Sequence, residues 1–269
     1  MATMTATAAP IPVTGRVGVA AGLRHTATLA WRNLVQIKHN PMELMDLSIQ
    51  PIMFLLLFTY VFGGQMSGST HAYLQYALAG ILVQNGLFAT LNTAIGLNND
   101  IQKGVFDRLR SLPIARSAPL AGRVLADLGK QVWSMALMLG LGLCLGFRPA
   151  SAAGVLGAVA LMLVFALAMS WMMVLVGMVA ANPEKVQMMG FVVMFPLTFS
   201  SSAFVSVASM PGWMQAWVKI NPVTSLVDGM RGLLAGGPVQ TSVIHAVLWA
   251  AAIALVFFPL AVRAYQRRG

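Results

Sequence analysis

The side chains best suited to ionic chemistry lie in one short segment, residues 99–113, which reads NDIQKGVFDRLRSLP and separates two long apolar runs. Its charged residues are Asp100, Lys103, Asp107, Arg108 and Arg110. Its apolar residues recur at helical spacing and are Ile101, Val105, Phe106, Leu109 and Leu112. Because such charges cannot lie in hydrocarbon, the pattern predicts an amphipathic helix at a membrane surface. A helix held there is well placed to receive a push from a soluble partner.

Motifs for catalysis by the chain itself are absent from the sequence. It has no pair of histidines at metal-ligand spacing and no Gly-x-Ser-x-Gly elbow, so no catalytic or metal-binding residues are predicted. A phosphate-binding loop needs a glycine five positions before its Gly-Lys pair and Ser or Thr after it. Gly129-Lys130 is followed by Gln131, and Val124 stands where that glycine is needed. We therefore expect any nucleotide hydrolysis that drives the chain to occur on another polypeptide.

The acidic residues give little support to ion-coupled transport, which usually needs ionisable groups inside the membrane. The seven acids lie in loops or at the ends of apolar runs. Arg123, Asp127 and Lys130 are spaced so that they share one helical face, which predicts local ion pairs near the membrane surface. No carboxylate is left for a proton relay across the membrane.

The composition is that of an integral membrane protein. Charged residues make up 9% and hydrophobic residues 58% of the chain, and the mean hydropathy is +0.77. A soluble domain carries about 25% charged residues. The net charge of +10 does not indicate nucleic-acid binding, since the basic residues are spread along the loops between apolar runs. The single cysteine, Cys144, excludes an intrachain disulfide and a cysteine-based metal cluster.

Six apolar runs are long enough to cross a bilayer, given that about 20 residues span its hydrocarbon core. They cover approximately residues 47–62, 73–97, 125–147, 152–181, 186–207 and 243–262. Backbone N–H and C=O groups in lipid must form hydrogen bonds within the protein, which helices and closed β-barrels allow. The runs are continuously apolar and do not alternate between apolar and polar residues as barrel strands do, so the spans are predicted to be helices. The predicted fold is an all-α integral membrane protein, with a disordered tail over residues 1–20 and a membrane domain over residues 21–269.

The distribution of basic residues predicts the orientation of these spans. If the N-terminus is cytoplasmic, 14 of the 17 Lys and Arg residues face the cytoplasm, and the outside set is Arg148, Lys219 and Arg231. Both termini and the segment at residues 99–113 then lie on the cytoplasmic side.

A further helix is predicted before the first span. Residues 22–44 interleave basic and apolar side chains and include Trp31 and Arg32, which is typical of a helix lying in the membrane interface. This helix is either a plain membrane anchor or a second contact for a cytoplasmic partner.

The loop between the fifth and sixth runs contains two helix-like pieces that are too short to cross a membrane. They cover approximately residues 214–220 and 225–234, with Asn221-Pro222 between them and Gly236-Gly237-Pro238 after them. The pattern favours a re-entrant helical hairpin that dips into the outer leaflet. An ordinary extracellular loop is the alternative, because polar backbone at that depth must be buried in protein.

The stretch NDIQKGVFDRLRSLPIARSAPLAGRVLADL resembles the coupling region of type-2 ATP-binding-cassette (ABC) exporter permeases. The family's acidic-basic-Gly element corresponds to Asp100, Lys103 and Gly104, its Leu-Arg-x-x-Pro-like element to residues 109–113, and its Gly-Arg start of the third span to Gly122-Arg123. The outer loop PGWMQAWVKINPVTSLVDGMRGLLAGG is similar to the family's Pro-x-Trp, Asn-Pro and acidic-x-x-Arg pattern. Within the family, the chain looks most like the daunorubicin-resistance branch of multidrug permeases.

The resemblance implies a partnership with a cytoplasmic ATPase. Two copies of the six-span subunit, or one copy and a homologous permease, would pair with two ABC ATPase subunits that bind ATP and magnesium, while this chain binds no cofactor. The residues implied in ATPase coupling are Asp100, Lys103, Gly104, Phe106, Asp107, Arg108, Arg110, Trp31 and Arg32. Arg108 and Arg110 would donate ion pairs, and Phe106 would fill an apolar cleft. Binding of anionic lipid headgroups is the alternative role of the two arginines.

Candidates for a substrate path are polar, methionine and aromatic residues inside the predicted spans. They are Gln84, Asn85, Asn92, Met188, Phe191, Phe195 and Phe199. Methionine is common at promiscuous binding surfaces, and phenylalanine adds aromatic faces. The alternative is ordinary helix packing with interhelical hydrogen bonds.

The resemblance therefore predicts the permease subunit of an ATP-driven exporter that moves hydrophobic or amphipathic compounds out through a bacterial plasma membrane. The expected partners are the ATPase, a second permease subunit, membrane lipids and a small hydrophobic substrate, and not nucleic acid. Two alternatives stay open: an exporter of a lipid-linked glycan or cell-wall precursor, and a channel or scaffold that works without nucleotide.

Overall fold

The chain folds into a bundle of helices in the computed structural model, which describes residue 28 and residues 41–64, 69–105 and 118–267. The helices are α1 (Pro41–Leu57), which continues as a π-helix (Phe58–Phe62), α2 (Thr70–Gln102), α3 (Ala118–Cys144), α4 (Ala152–Val179), α5 (Pro183–Phe199), α6 (Gly212–Ile220), α7 (Pro222–Ala235) and α8 (Gln240–Arg267). A short 3-10 turn (Val207–Ser209) precedes α6. The residues in these ranges form no β-strand, which confirms the all-α prediction.

Helix α2 is the centre of the bundle. It packs against α3, α4, α5 and α7, and it has buried side chains along most of its length. The Oγ of Ser69 begins the helix by accepting a hydrogen bond from the backbone N–H of Ala72 at 3.1 Å. The helix ends after Gln102, and Gly104 then adopts a φ of +65°, which favours glycine. From there the chain enters residues 103–117, called the α2–α3 segment below.

Helices α4, α7 and α8 pack together on one side of α2. Helix α4 runs along α8, where the rings of Trp171 and Phe258 meet edge to face with centroids 4.7 Å apart. Helix α7 contacts α2, α4 and α8, and its buried side chains include Leu226, Val227 and Met230. The short helices of the predicted hairpin are therefore present, and the second of them is part of the bundle core.

Among the described residues, three helices are long and apolar enough to cross a membrane, judged by length and composition: Thr70–Gln102, Ala152–Val179 and Gln240–Tyr265. A shorter apolar helix covers Leu47–Phe62. Helix α3 has charged residues in its first half, and α5 contains 17 residues. Helices thus cover all or most of each predicted run, and the count of six membrane crossings stays a prediction.

Two helix ends differ from the sequence expectation. Residues 99–102 continue α2 and do not begin a separate surface helix, since the backbone turns only at Gly104. Helix α5 ends at Phe199, short of the predicted end at residue 207. Residues 200–202 follow it and are called the serine turn below. The hydroxyls of Ser200 and Ser201 donate to backbone carbonyls, and Ser201 Oγ lies 2.5 Å from the Thr198 oxygen. Such local bonds compete with helix continuation.

Candidate functional site

Eight phenylalanines form a continuous series of ring contacts, which we call the aromatic ladder. Its members are Phe54, Phe58, Phe62, Phe88, Phe191, Phe195, Phe199 and Phe204. Along α5, the ring centroid of Phe195 lies 5.1 Å from that of Phe191 and 4.4 Å from that of Phe199, and both pairs are stacked. The spacing of four residues places the three rings on one face of the helix.

The second arm of the ladder comes from α1 and the π-helix. The ring of Phe58 lies 5.3 Å from Phe54 and 5.1 Å from Phe62. Phe204 connects the two arms, because its ring is 4.7 Å from Phe58 and 5.3 Å from Phe199. The ladder therefore joins α1 to α5 through side chains that are far apart in sequence.

The outer surface of the ladder is open in the single chain. The side chains of Phe191 and Phe195 are 48% and 43% exposed, and Met188 beside them is 64% exposed. Phe204, whose ring contacts that of Phe199, is buried. A contiguous apolar surface of this kind is available to lipid, to a second subunit or to a hydrophobic ligand.

The three polar candidates of the substrate path occupy different environments. Asn85 Nδ2 donates to Ser134 Oγ at 3.0 Å and so bonds α2 to α3. Gln84 is buried, and its Oε1 has no hydrogen-bond partner. Asn92 is exposed on α2, one turn beyond Phe88, whose ring is 6.0 Å from that of Phe191. Of the three, Asn92 lies beside the open face of the ladder.

The C-terminal end of α2 is tied to α3 by ion pairs. Arg123 pairs with Asp100, and its Nε lies 4.0 Å from an oxygen of Asp127. Lys130 Nζ is 3.1 Å from the other oxygen of Asp127. The predicted local pairing of Arg123, Asp127 and Lys130 is therefore present, and Asp100 joins it across 23 residues of sequence.

Hydrogen bonds tie the same end of α2 to the turn between α4 and α5. Asn98 Nδ2 donates to the backbone oxygens of Gly177 and Ala180, both at 2.9 Å. Gln102 Nε2 donates to the oxygen of Ala181 at 3.1 Å. Asn98 is fully buried, whereas Gln102 is exposed.

The other residues implied in ATPase coupling divide into two groups. Lys103 is exposed and Gly104 forms the turn that ends α2. The remaining ones lie outside the described residues and are Phe106, Asp107, Arg108, Arg110, Trp31 and Arg32. Their contacts with an ATPase stay a prediction.

Arg231 of α7 holds the hairpin against α2 and the serine turn. Its guanidinium donates to Asp228 at 2.9 Å, to the Tyr76 carbonyl at 3.1 Å and to the Ser202 carbonyl at 2.7 Å. It also lies 3.9 Å from the centroid of the Tyr76 ring. The acidic-x-x-Arg element, which is part of the family resemblance, thus anchors the hairpin of α6 and α7.

Several residues of these clusters were not identified from the sequence. The first arm of the ladder has a detectable signal, since Phe54, Phe58 and Phe62 are spaced four apart. The hydrogen bonds of Asn98 have no detectable signal in the sequence, because its partners are backbone atoms about 80 positions away along the chain. Within the described ranges, no three His, Cys, Asp or Glu side chains are placed to hold a metal ion. The arrangement is suited to apolar contact and to mechanical linkage between helices.

Comparison with known proteins places these features in a family. The sequence model described as ABC-2 type transporter matches residues 24–235. The daunorubicin resistance ABC transporter permease protein DrrB1 of Streptomyces coeruleorubidus is 41% identical over 244 residues, which cover 90% of this chain and 86% of that protein.

Two further relatives extend the range of similarity. The probable doxorubicin resistance ABC transporter permease protein DrrC of Mycobacterium tuberculosis is 30% identical over 225 residues, covering 81% of this chain and 80% of that protein. The putative transport permease ycf38 of Cyanophora paradoxa is 26% identical over 214 residues, or 76% of this chain. Together with the helical fold, these matches confirm the resemblance seen in the sequence: the chain belongs to the ABC-2 type transporter family of membrane-integral permease subunits.

Proposed function

We propose that this chain is the membrane-spanning subunit of an exporter that moves hydrophobic or amphipathic drug-like compounds out of the cell, driven by a separate ABC ATPase. The observation that carries the proposal is the 41% identity to a daunorubicin resistance permease over 90% of the chain. The open aromatic ladder supports it, because stacked rings and methionine make an adaptable apolar surface.

Six helices cross the plasma membrane in this proposal: α1 with its π-helix, α2, α3, α4, α5 and α8. The 27 residues of α3 extend about 40 Å at 1.5 Å per residue, which exceeds the hydrocarbon thickness of about 30 Å, and its charged residues lie in the half nearer the cytoplasm. The 17 residues of α5 extend about 25 Å, which is less than the hydrocarbon thickness of about 30 Å. Another element must therefore fill the part of the outer leaflet that lies beyond the end of α5.

The hairpin of α6 and α7 is that element, and it enters the outer leaflet. Irregular backbone is tolerated at membrane depth where protein groups bond to it. Asn221 Nδ2 donates to the carbonyls of Leu197 and Ser200 at 2.8 and 2.9 Å. The carbonyl of Ser202 accepts from Arg231 and, at 3.2 Å, from the Tyr76 hydroxyl. Side chains thus satisfy the backbone between α5 and the hairpin, as a re-entrant structure requires.

The ATPase acts on the cytoplasmic side, through the α2–α3 segment and the helix predicted over residues 22–44. Two ATPase subunits bind ATP and magnesium, and two permease subunits form the transmembrane part. The contact residues are those of the family's coupling region, with Phe106, Arg108 and Arg110 as the central ones. Support comes from the ion pair of Asp100 with Arg123, which fixes the base of the segment that receives the force.

The substrate moves along the face that carries Met188, Phe191, Phe195 and Phe199, with Asn92 at its edge. These side chains are exposed in the single subunit, and a second permease subunit facing them would enclose a path. Gln84 and Asn85 contribute to the packing of α2, since one is buried and the other bonds to α3.

Co-purification tests the proposal. The tagged permease, extracted in mild detergent from its own host, is expected to bring down an ABC ATPase whose hydrolysis rate changes when doxorubicin is added. A permease that purifies to homogeneity without any ATPase, under conditions that keep it folded, would contradict the proposal. An ATPase complex that responds to a lipid-linked glycan and not to doxorubicin would favour the alternative substrate class.

A further inference from the structure

We infer that Asn98 and Gln102 form a clasp that carries movement of the α2–α3 segment into the turn between α4 and α5, and so into the helix that bears the aromatic ladder. The inference rests on the proposed function, because it concerns how ATPase-driven force reaches the substrate face. It assigns a positioning role to two residues that are neither among those implied in ATPase coupling nor among those of the substrate path.

The clasp uses all four N–H donors of its two side-chain amides. Both hydrogen bonds from Asn98 Nδ2 end on carbonyls at the C-terminus of α4, and Gln102 Nε2 donates both to Ala181 and, at 3.3 Å, to Asn98 Oδ1. The last carbonyls of a helix have no partner within that helix. Asn98 therefore caps the end of α4 from the neighbouring helix and joins the two rigidly.

The other side of the clasp is fixed to the base of the α2–α3 segment. Asp100 lies between Asn98 and Gln102 in sequence and pairs with Arg123 at the start of α3. The helices are packed so closely there that a Cβ added at Gly96 would lie 1.8 Å from an Arg123 guanidinium nitrogen. Both ends of the segment are therefore held together, and a force on it displaces the end of α2.

The receiving side of the clasp leads directly into α5. The turn consists of Ala180, Ala181 and Asn182, and the Oδ1 of Asn182 caps α5 by accepting from the Lys185 N–H at 2.9 Å. Pro183 begins the helix and restricts its backbone. Helix α5 then carries the exposed rings of the ladder, so a shift of this turn changes the position of the substrate face.

An ordinary packing role for the clasp makes a different prediction from a coupling role. Loss of packing lowers the amount of folded complex, whereas loss of coupling lowers substrate export for each ATP hydrolysed. Gln75 provides a matched control, because it also lies on α2 and donates from Nε2 to a backbone carbonyl, that of Gly146, at 3.3 Å. Its bond is at the opposite end of the helix, away from the α4–α5 turn.

The experiment compares Gln102→Ala, Asn98→Ala and Gln75→Ala in the reconstituted complex with its ATPase, measuring doxorubicin efflux and ATP hydrolysis in the same vesicles. Gln102 is the deciding position, because it is exposed and its truncation leaves no cavity. We expect the ratio of efflux to hydrolysis to fall about fivefold or more in Gln102→Ala and in Asn98→Ala, in the range of typical coupling between sites. The ratio in Gln75→Ala stays at the wild-type value.

A ratio in Gln102→Ala within twofold of the wild type would overturn the clasp, whatever the yield of Asn98→Ala. An equal fall of the efflux-to-hydrolysis ratio in Gln75→Ala would overturn the clasp as well, since the loss of any such hydrogen bond from α2 would then have the same effect. Failure of the proposed function looks different, because the wild-type complex would itself show no ATP-dependent efflux.

Discussion

Phe195 illustrates how single side chains define the proposed substrate face. Its ring contacts Phe191 on one side and Phe199 on the other, while 43% of the side chain stays open. Phe258 of α8 is similarly exposed, at 47%, and its ring contacts that of Trp171. The two residues have similar exposure and chemistry, and only Phe195 belongs to the ladder.

We predict that Phe195→Ala weakens doxorubicin export and that Phe258→Ala does not. Aromatic pairs contribute about 0.5–1.5 kcal/mol beyond area burial. Loss of one ring should therefore raise the KM for doxorubicin about threefold to tenfold, and transport rates measured against substrate concentration would reveal the change. Equal effects of the two substitutions would place the path on another surface.

Arg231 joins the hairpin of α6 and α7 to α2 and to the turn after α5. Its guanidinium bonds to one carboxylate and two carbonyls, and hydrogen bonds to charged groups contribute about 1.5–3 kcal/mol each. We predict that Arg231→Ala lowers the free energy of unfolding by about 2–3 kcal/mol, measured by chemical denaturation in detergent. Arg148→Ala, at an exposed position near the same end of the bundle, serves as control and should leave stability unchanged. A stable Arg231→Ala protein would show that other contacts hold the hairpin.

Residue pairs were predictable from the sequence only when they are close along the chain. Arg123, Asp127 and Lys130 share a helix, so their spacing gave the pairs directly. Asp100 was assigned to ATPase coupling by resemblance, whereas the fold pairs it with Arg123. That contact depends on how α2 and α3 pack, which no local pattern encodes. Its partner inside the chain does not test the role assigned to Asp100 at an ATPase interface.

The helices themselves follow from the apolar runs, but their ends depend on particular hydrogen bonds. Asn221 caps α7, as its Oδ1 accepts from the Val223 N–H at 2.9 Å, and Gly236 ends it with a φ of +81°. Both signals are visible in the sequence, and the predicted hairpin pieces match these helices closely. The early end of α5 depends on Asn221 and the serine turn together, which hydropathy alone does not reveal.

Close approach of α2 and α4 leads to a prediction about helix packing. A Cβ at Gly177 would lie 2.7 Å from the Ala94 carbonyl oxygen, whereas a Cβ at Gly140 would meet nothing within 4 Å. Alanine at either site gains helix propensity of up to about 1 kcal/mol. We expect Gly177→Ala to lower the unfolding temperature, because overpacking costs about 1–3 kcal/mol, and Gly140→Ala to keep or raise it. The measurement is the unfolding temperature of each variant in detergent. Equal unfolding temperatures for the two variants would contradict the close contact between Gly177 and Ala94.

The whole molecule has an orientation that the charge distribution predicts. Lys103 and Lys219 are exposed and lie on opposite sides of the proposed membrane. In a Cys144→Ser background, Lys219→Cys should react with a membrane-impermeant maleimide on cells whose plasma membrane is intact and whose outer cell envelope has been removed. Lys103→Cys should react only after permeabilisation. Labelling in the reverse order would invert the topology, and labelling of both sites on intact cells would exclude six crossings.

The family could be identified from short motifs in the right order, those of the coupling region and of the loop between the fifth and sixth runs, and the family model matches residues 24–235. The aromatic ladder could be identified only in part, because Phe204 joins its arms across a turn that sequence periodicity does not predict. The proposed function depends on a second permease subunit and an ATPase, and the surface of the ATPase is encoded in another chain.

The measurement that tests the central proposal most directly is transport by the purified complex. Permease and ATPase are reconstituted in vesicles with the ATPase facing outward, and doxorubicin uptake is followed with ATP or with a non-hydrolysable analogue. We predict that doxorubicin accumulates only when both subunits and hydrolysable ATP are present. Accumulation at the same rate with the analogue, or with the permease alone, would contradict an ATP-driven exporter.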